Sequence, residues 1–218
     1  MFARIRHIQD LIIDNAVFDD LLSYLYYPSP YCFDVIPLKS ISDIYDLFLG
    51  YHLEYDDSGI LENVLKSEFR KSNGAVTTPE HIVHNTIDST VPSEYLQSLT
   101  NQQILDLKFL DPACGSGVFL VSIYDHLATQ IESNIEERKD VLPHRYLYEK
   151  DGKKYLNLEG RKLIVNQCLH GVDINQECVE VAKLSLSLKI IDGFEPIDFN
   201  NAGLYGSQIL HGVGVNIK

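Results

Sequence analysis

Apolar positions recur at intervals of three and four along the opening of the chain. Ile5, Ile8, Leu11 and Ile12 are followed by Phe18, Leu21, Leu22 and Leu25. That period places them on one face of a helix. The segment Tyr26-Tyr27-Pro28-Ser29-Pro30 ends the pattern, because proline removes a backbone donor and biases its predecessor away from helix. A second helix is predicted from Ser42, with Ile44, Leu47 and Phe48 on one face. The first seventy residues therefore read as helical. Arg70-Lys71-Ser72-Asn73-Gly74 has the composition of a hinge. Thr77-Thr78-Pro79-Glu80 then opens another helix, with a hydroxyl cap, a proline in the first turn and an acid beside it.

The pattern changes near residue 107. Leu107-Lys108-Phe109-Leu110 predicts a short buried strand. It runs into Asp111-Pro112-Ala113-Cys114-Gly115-Ser116-Gly117, and then into a helix carrying Val118, Leu120, Val121, Ile123, Tyr124 and Leu127. A second strand, Cys168 to Val172, ends at Asp173, and a helix through Val179, Val181, Ala182, Leu184, Leu186 and Leu188 follows. Val213, Val215 and Ile217 begin a third strand. Residues 132–160 are polar and read as an insertion, with Asp151-Gly152 as a hairpin turn between Tyr146-Leu147-Tyr148 and Lys154-Tyr155-Leu156. The predicted class is α/β. A helical N-terminal domain over 1–70 precedes a partial, doubly wound, Rossmann-like domain over 71–218. An incomplete sheet leaves an open edge, so self-association or reduced stability is expected.

Composition narrows the picture. Of 218 residues, 45% are hydrophobic and 22% charged, which is a globular balance. With 18 basic and 31 acidic residues the net charge is -13. That argues against this chain alone wrapping nucleic acid, since phosphate contacts run on Lys and Arg. Cys32, Cys114, Cys168 and Cys178 form no Cys-x-x-Cys pair and no zinc spacing. Free thiols fit a reducing compartment. No apolar run approaches the roughly 20 residues of a membrane span, and the first residues do not read as a signal peptide. The expected location is the cytoplasm. His81 and His84 lie one turn apart but lack a third ligand, so no metal site is predicted.

A strand ending in an acid, then Gly-x-Gly, then a helix is a nucleoside-binding geometry. The glycines admit a ligand close to the backbone, and the helix start offers free N–H groups. Gly115-Ser116-Gly117 does not complete a dinucleotide fingerprint, because position 120, where the third glycine belongs, is Leu. Asp173 adds a second acid at the end of a strand, where a carboxylate accepts from ribose hydroxyls. Asp173 also reads as a helix cap with Asn175. The gap from Asp111 to Asp173 exceeds the usual spacing of about 20 residues, which the insertion explains.

The string DPACGSGVFL (Asp111 to Leu120) resembles motif I of the N6-adenine DNA methyltransferases, especially type I modification subunits and fused restriction–modification enzymes. SNGAVTTPEHIV (Ser72 to Val83) resembles their motif X, with Thr77 in place of the usual tyrosine. HGVDINQECVEVAKLSLSL (His170 to Leu188) resembles motif II. ISDIYDLFLGYHLE (Ile41 to Glu54) resembles the helical segment before motif X. The order X, I, II is that of the gamma class.

The resemblance implies S-adenosylmethionine as cofactor. Asp111, Ala113 and Gly115 would line its methionine end, within a loop that also holds Pro112, Cys114, Ser116 and Gly117. Thr78, followed by Pro79, would lie near its carboxylate. Asp173 would hold the ribose and Ile174 would press on the adenine. Phe119 would pack beneath the loop or belong to the core, with the core favoured. These enzymes grip a flipped adenine with an Asn/Asp-Pro-Pro-Tyr/Phe motif. No Pro-Pro occurs in this chain, so no catalytic residue is assigned and the chain is expected to be the inactive N-terminal part of a longer enzyme. Its expected partners are double-stranded DNA, through regions outside this chain, and specificity or restriction subunits; no membrane is expected. Two alternatives stand beside this reading: a protein or RNA methyltransferase sharing the motifs, and a noncatalytic interaction subunit of the same fold.

Overall fold

The computed structural model describes residues 14–25, 40, 51–55, 59, 61–65, 78–137, 142–193, 213–214 and 216–218. The helix expected from Ser42, the positions Ile5 to Ile12, most of motif X and Val215 lie outside the described residues. Helix α1 spans Asn15–Leu25. Its first turn is held by the Asp14 carboxylate, which accepts from the Ala16 N–H at 2.9 Å.

Strands β1 (Tyr51–Tyr55) and β2 (Leu61–Leu65) form an antiparallel hairpin, with Tyr51 opposite Leu65 and Tyr55 opposite Leu61. This corrects the expectation of an all-helical N-terminal segment. Tyr51, Leu53 and Tyr55 alternate with His52 and Glu54, a period of two rather than three and a half. Between the two strands Gly59 has φ 77°, a left-handed backbone that glycine adopts freely.

From residue 78 the chain builds helices around a small parallel sheet. Helices α2 (Glu80–Thr90), α3 (Ser93–Gln97) and α4 (Asn101–Asp106) lead to β3 (Phe109–Asp111). Pro79, not a threonine, takes the cap position of α2, and no side chain caps that end. Thr78 therefore falls one residue too early to reach the first-turn amides. Helix α4 has the reciprocal cap that α2 lacks: Thr100 accepts from the Gln103 N–H, and the Gln103 side chain accepts from the Thr100 N–H.

Helix α5 (Val118–Glu136) follows the glycine loop. Strands β4 (Leu147–Lys150) and β5 (Lys153–Leu156) form the predicted hairpin. Asp151 at φ 53° and Gly152 at φ 75° match the doubly left-handed turn that Asp-Gly favours. The expected insertion is narrower than 132–160. Residues 132–136 complete α5, and 158–160 begin helix α6 (Leu158–Cys168), whose Leu158, Ile164, Val165 and Cys168 are buried. Glu159, Arg161, Lys162 and Asn166, interleaved with those positions, obscure its apolar face in the sequence.

Strand β6 (Leu169–Gly171) runs parallel to β3, with Phe109 opposite Leu169 and Asp111 opposite Gly171. Helix α7 (Gln176–Ile191) comes next. Ile217 bridges Gly171 in parallel on the other side of β6, so β6 is the central strand. Asn166 anchors this last segment: its side chain accepts from the Gly214 N–H at 3.1 Å, and its carbonyl accepts from the Asn216 side chain.

Leu120, Leu127, Ile164, Leu169, Leu186, Ile190 and Ile217 form the heart of one core. The strand at residues 109–111 is not buried on both faces as expected. Leu110 is 66% exposed and Val172 47%, while Phe109 packs on the core. The two-residue strand period sends Phe109 toward the helices and Leu110 away from them.

Gly117 has φ 90°, and a Cβ there would lie 2.9 Å from the Ala182 Cβ. Gly117→Ala is expected to destabilise the chain by about 2–4 kcal/mol, from backbone strain plus the clash. Adding Ala182→Gly should recover only part of this, since φ stays positive and a mid-helix glycine costs about 1 kcal/mol. Urea unfolding of both single variants and the double variant checks this; additive losses would mean the two positions do not touch.

Candidate functional site

The loop between β3 and α5 is stitched to the end of β6 by main-chain bonds. The Val172 N–H donates to the Asp111 carbonyl at 2.9 Å, and the Cys114 N–H to the Val172 carbonyl at 3.0 Å. Within the loop, the Gly117 N–H donates to the Cys114 carbonyl at 2.8 Å. Both glycines are left-handed, Gly115 at φ 51° and Gly117 at φ 90°. Their surroundings differ. Gly117 has Ala182 of α7 against it, whereas a Cβ on Gly115 would meet nothing within 4 Å. Gly117 thus serves packing, and Gly115 leaves its backbone open to an approaching ligand.

Two carboxylates frame the loop. Asp111 accepts from the Ala113 N–H at 3.1 Å through Oδ1. Asp173, half-buried, accepts from the Gly115 N–H at 2.9 Å through Oδ2 and from the Asn175 N–H at 2.8 Å through Oδ1. Asn175 in turn caps α7 by accepting from the Glu177 N–H at 2.9 Å. The two readings of Asp173 are therefore compatible: it supports a helix start and also faces the glycine loop.

The sequence-selected residues divide clearly. Asp111 to Gly117 and Asp173 come together, with Pro112 and Ala113 exposed and Ser116 and Gly117 buried. Ile174, next to Asp173, is fully exposed at 106%. An isoleucine bare beside an acid is apolar surface without a protein partner. Phe119 is half-buried, and among the described residues it is not part of the hydrophobic cluster. Thr78 and Pro79 sit at the start of α2, and among the described residues no hydrogen bond joins them to the loop. Sequence reasoning missed Ala182, whose small side chain is what lets α7 reach Gly117.

Cys114 has its Sγ 3.1 Å from where a Cβ on Gly171 would sit. Burial, followed by the nearby Asp111 and Asp173 charges, pushes its thiol up to about 11. Burial does the same to Cys168, also to about 11. At neutral pH both are protonated, so neither is a nucleophile.

A second concavity of about 450 Å³ lies between α2, α3 and α5, lined by His84, Asp88, Asp125 and His126 among others. Asp125, His84 and His126 have partners within the protein. Lys189 contacts Asp125 at 3.0 Å, Glu80 contacts His84 at 3.5 Å, and His126 Nε2 lies 2.9 Å from the Val91 carbonyl. Among the described residues no three His, Cys, Asp or Glu side chains gather as metal ligands. Among the same residues no helix is long and apolar enough to cross a membrane.

Mixed helices and strands, an acid-ended strand, a glycine loop and a second acid on the adjoining strand are the parts of a methyltransferase domain. The chain belongs to the MmeI DNA-methyltransferase domain family, which it matches over residues 85–193. That span contains both acids and the glycine loop and begins after Thr78 and Pro79. The chain is 28% identical over 196 residues to the Escherichia coli type II restriction enzyme and methyltransferase RM.Eco57I, covering 87% of this chain and 19% of that protein. It is 30% identical over 183 residues to a putative type II restriction enzyme and methyltransferase of Methanocaldococcus jannaschii, covering 67% of this chain and 14% of that protein. It is 26% identical over 143 residues to RM.BcgI of Heyndrickxia coagulans, covering 66% and 17%. The chain thus spans less than a fifth of each of these relatives.

The raised thiol predicts that Cys114 resists alkylation by iodoacetamide at pH 8 in the folded protein and reacts freely in denaturant. Peptide mapping by mass spectrometry checks this. Rapid modification of native Cys114 would contradict the buried placement.

Proposed function

We propose that this chain is the S-adenosylmethionine-binding part of a Rossmann-like DNA adenine N6-methyltransferase of a restriction–modification system. The observation that carries the reading is the juxtaposition of Asp173, the open Gly115 and the bare Ile174 at the ends of two adjacent parallel strands. In open α/β sheets ligands bind beyond the carboxyl ends of the strands. The family membership and the relatives' names support methyl transfer to DNA. The choice of adenine rests on the motif resemblance.

The residues fit the cofactor. When bound, it supplies a methyl group on a sulfonium, ready for transfer to an amine. Gly115 leaves room against the backbone for its methionine end, and one oxygen of Asp111 has no partner among the described residues. Asp173 keeps lone pairs for ribose hydroxyls beyond its two main-chain bonds. Ile174 offers an apolar face to the adenine. Cys114, held neutral, takes no part. A doubly wound layer would also cover Leu110 and Val172, which the helices described here leave exposed. We assign residues 1–70 to a separate N-terminal domain and DNA contacts to regions outside this chain, as its acidic charge favours. Double-stranded DNA is the partner of this reading, and specificity or restriction subunits are further candidates.

Isothermal titration of this chain with S-adenosylmethionine is expected to show binding, and Asp173→Ala to weaken it about tenfold or more. Unchanged affinity in the variant would remove Asp173 from the ribose site. With no Pro-Pro motif to hold a flipped base, the 218-residue chain is expected to transfer no methyl group to duplex DNA. Tritiated methyl incorporation into adenine would overturn that expectation.

A further inference from the structure

The Asp173 carboxylate is bonded to main chain from two separate elements. Oδ2 accepts from Gly115, in the loop after β3, and Oδ1 from Asn175, at the start of α7. The loop's other acid is different in kind. Asp111 bonds Ala113 two residues along, a local turn that closes whatever happens at β6. The Gly115 amide depends instead on a residue 58 positions away. Gly115 sits at φ 51°, and glycine has little intrinsic preference among backbone regions. Its amide direction is therefore set by the acceptor it finds.

We infer that Asp173 is a positioning residue for the glycine loop, holding Gly115 so that the loop backbone is pre-shaped for the methionine end of the cofactor. This inference builds on the ribose assignment proposed above and adds a second, separable role. One carboxylate serves both, because it has about four acceptor sites and the main chain takes two. An asparagine of the same shape cannot replace it. Its NH2 group would stand where an oxygen is needed, setting donor against donor at either Gly115 or Asn175.

The two roles separate with a ligand that has no ribose hydroxyls. Binding of S-adenosylhomocysteine and of its 2′,3′-dideoxy analogue is measured by calorimetry for the wild-type chain and Asp173→Asn. The dideoxy analogue gives Asp173 nothing to accept from, so any loss on mutation comes through the loop. The expected loss for the analogue is about fivefold or more. Equal affinity of the analogue for both proteins, with S-adenosylhomocysteine weakened, would confine Asp173 to the ribose and overturn the inference while leaving the ribose site intact. Equal affinity of both ligands for both proteins would sink the ribose assignment too. Hydrogen exchange at the Gly115 amide of the ligand-free wild-type chain needs no variant. Slowing of about tenfold or more relative to an unstructured amide is expected, and exchange at the free rate would overturn the inference by itself.

Discussion

The close approach of helices to the central strand is the constraint on which the rest depends. A Cβ at Gly171 would lie 2.9 Å from a Leu120 methyl, 3.1 Å from the Cys114 Sγ and 3.2 Å from an Ile217 methyl. At Gly117 the obstacle would be α7 itself, through the Ala182 Cβ and Cα. Two missing side chains therefore bring the loop, α5 and the segment at Ile217 against β6, and α7 against the loop. Only at that spacing can the Asp173 carboxylate reach the Gly115 amide. The packing of the core and the geometry of the site are one problem solved by the same glycines.

Polar side chains tie down what the apolar core does not reach. Arg161 donates to the Ile190 carbonyl at 3.1 Å and the Asp192 carbonyl at 2.6 Å, satisfying carbonyls at the C-terminal end of α7. Buried Asn134 donates to the Asn101 side chain at 2.9 Å and accepts from Gln130 at 2.8 Å, linking α5 to the start of α4. Such bonds add modestly when made and are expensive to leave broken in a dry interior. They fix the far end of α7 to α6 and the far end of α5 to α4.

The division between the two acids gives the site its character. Asp111 shapes its own turn, while Asp173 reads the neighbouring chain segment. A cleft built across two strands is formed only once the sheet is formed, so a ligand held there would stabilise the folded chain. The hydrophobic residues exposed around it differ in meaning. Ile174 projects at the strand ends beside the acid, whereas Leu110 and Val172 lie on a sheet face that the described helices do not cover.

The sequence by itself determined the site's chemistry. The order of strand, acid, glycine loop and helix, the second acid at the next strand end, and the Asp-Gly hairpin all follow from local rules: residue period, turn residues and backbone permissiveness. Those rules act over a few residues, so a single chain displays them. The β1–β2 hairpin is legible too, in the alternation from Tyr51, although the helical period of the residues before it masks the change. Helix α6 was hidden because its buried face is interrupted by charged residues whose aliphatic stems are buried, as with Lys162. Tertiary structure alone decided that Ala182 must be small and that Asp173 bonds Gly115. Each of these depends on which distant segment arrives at the site, and no local pattern encodes that.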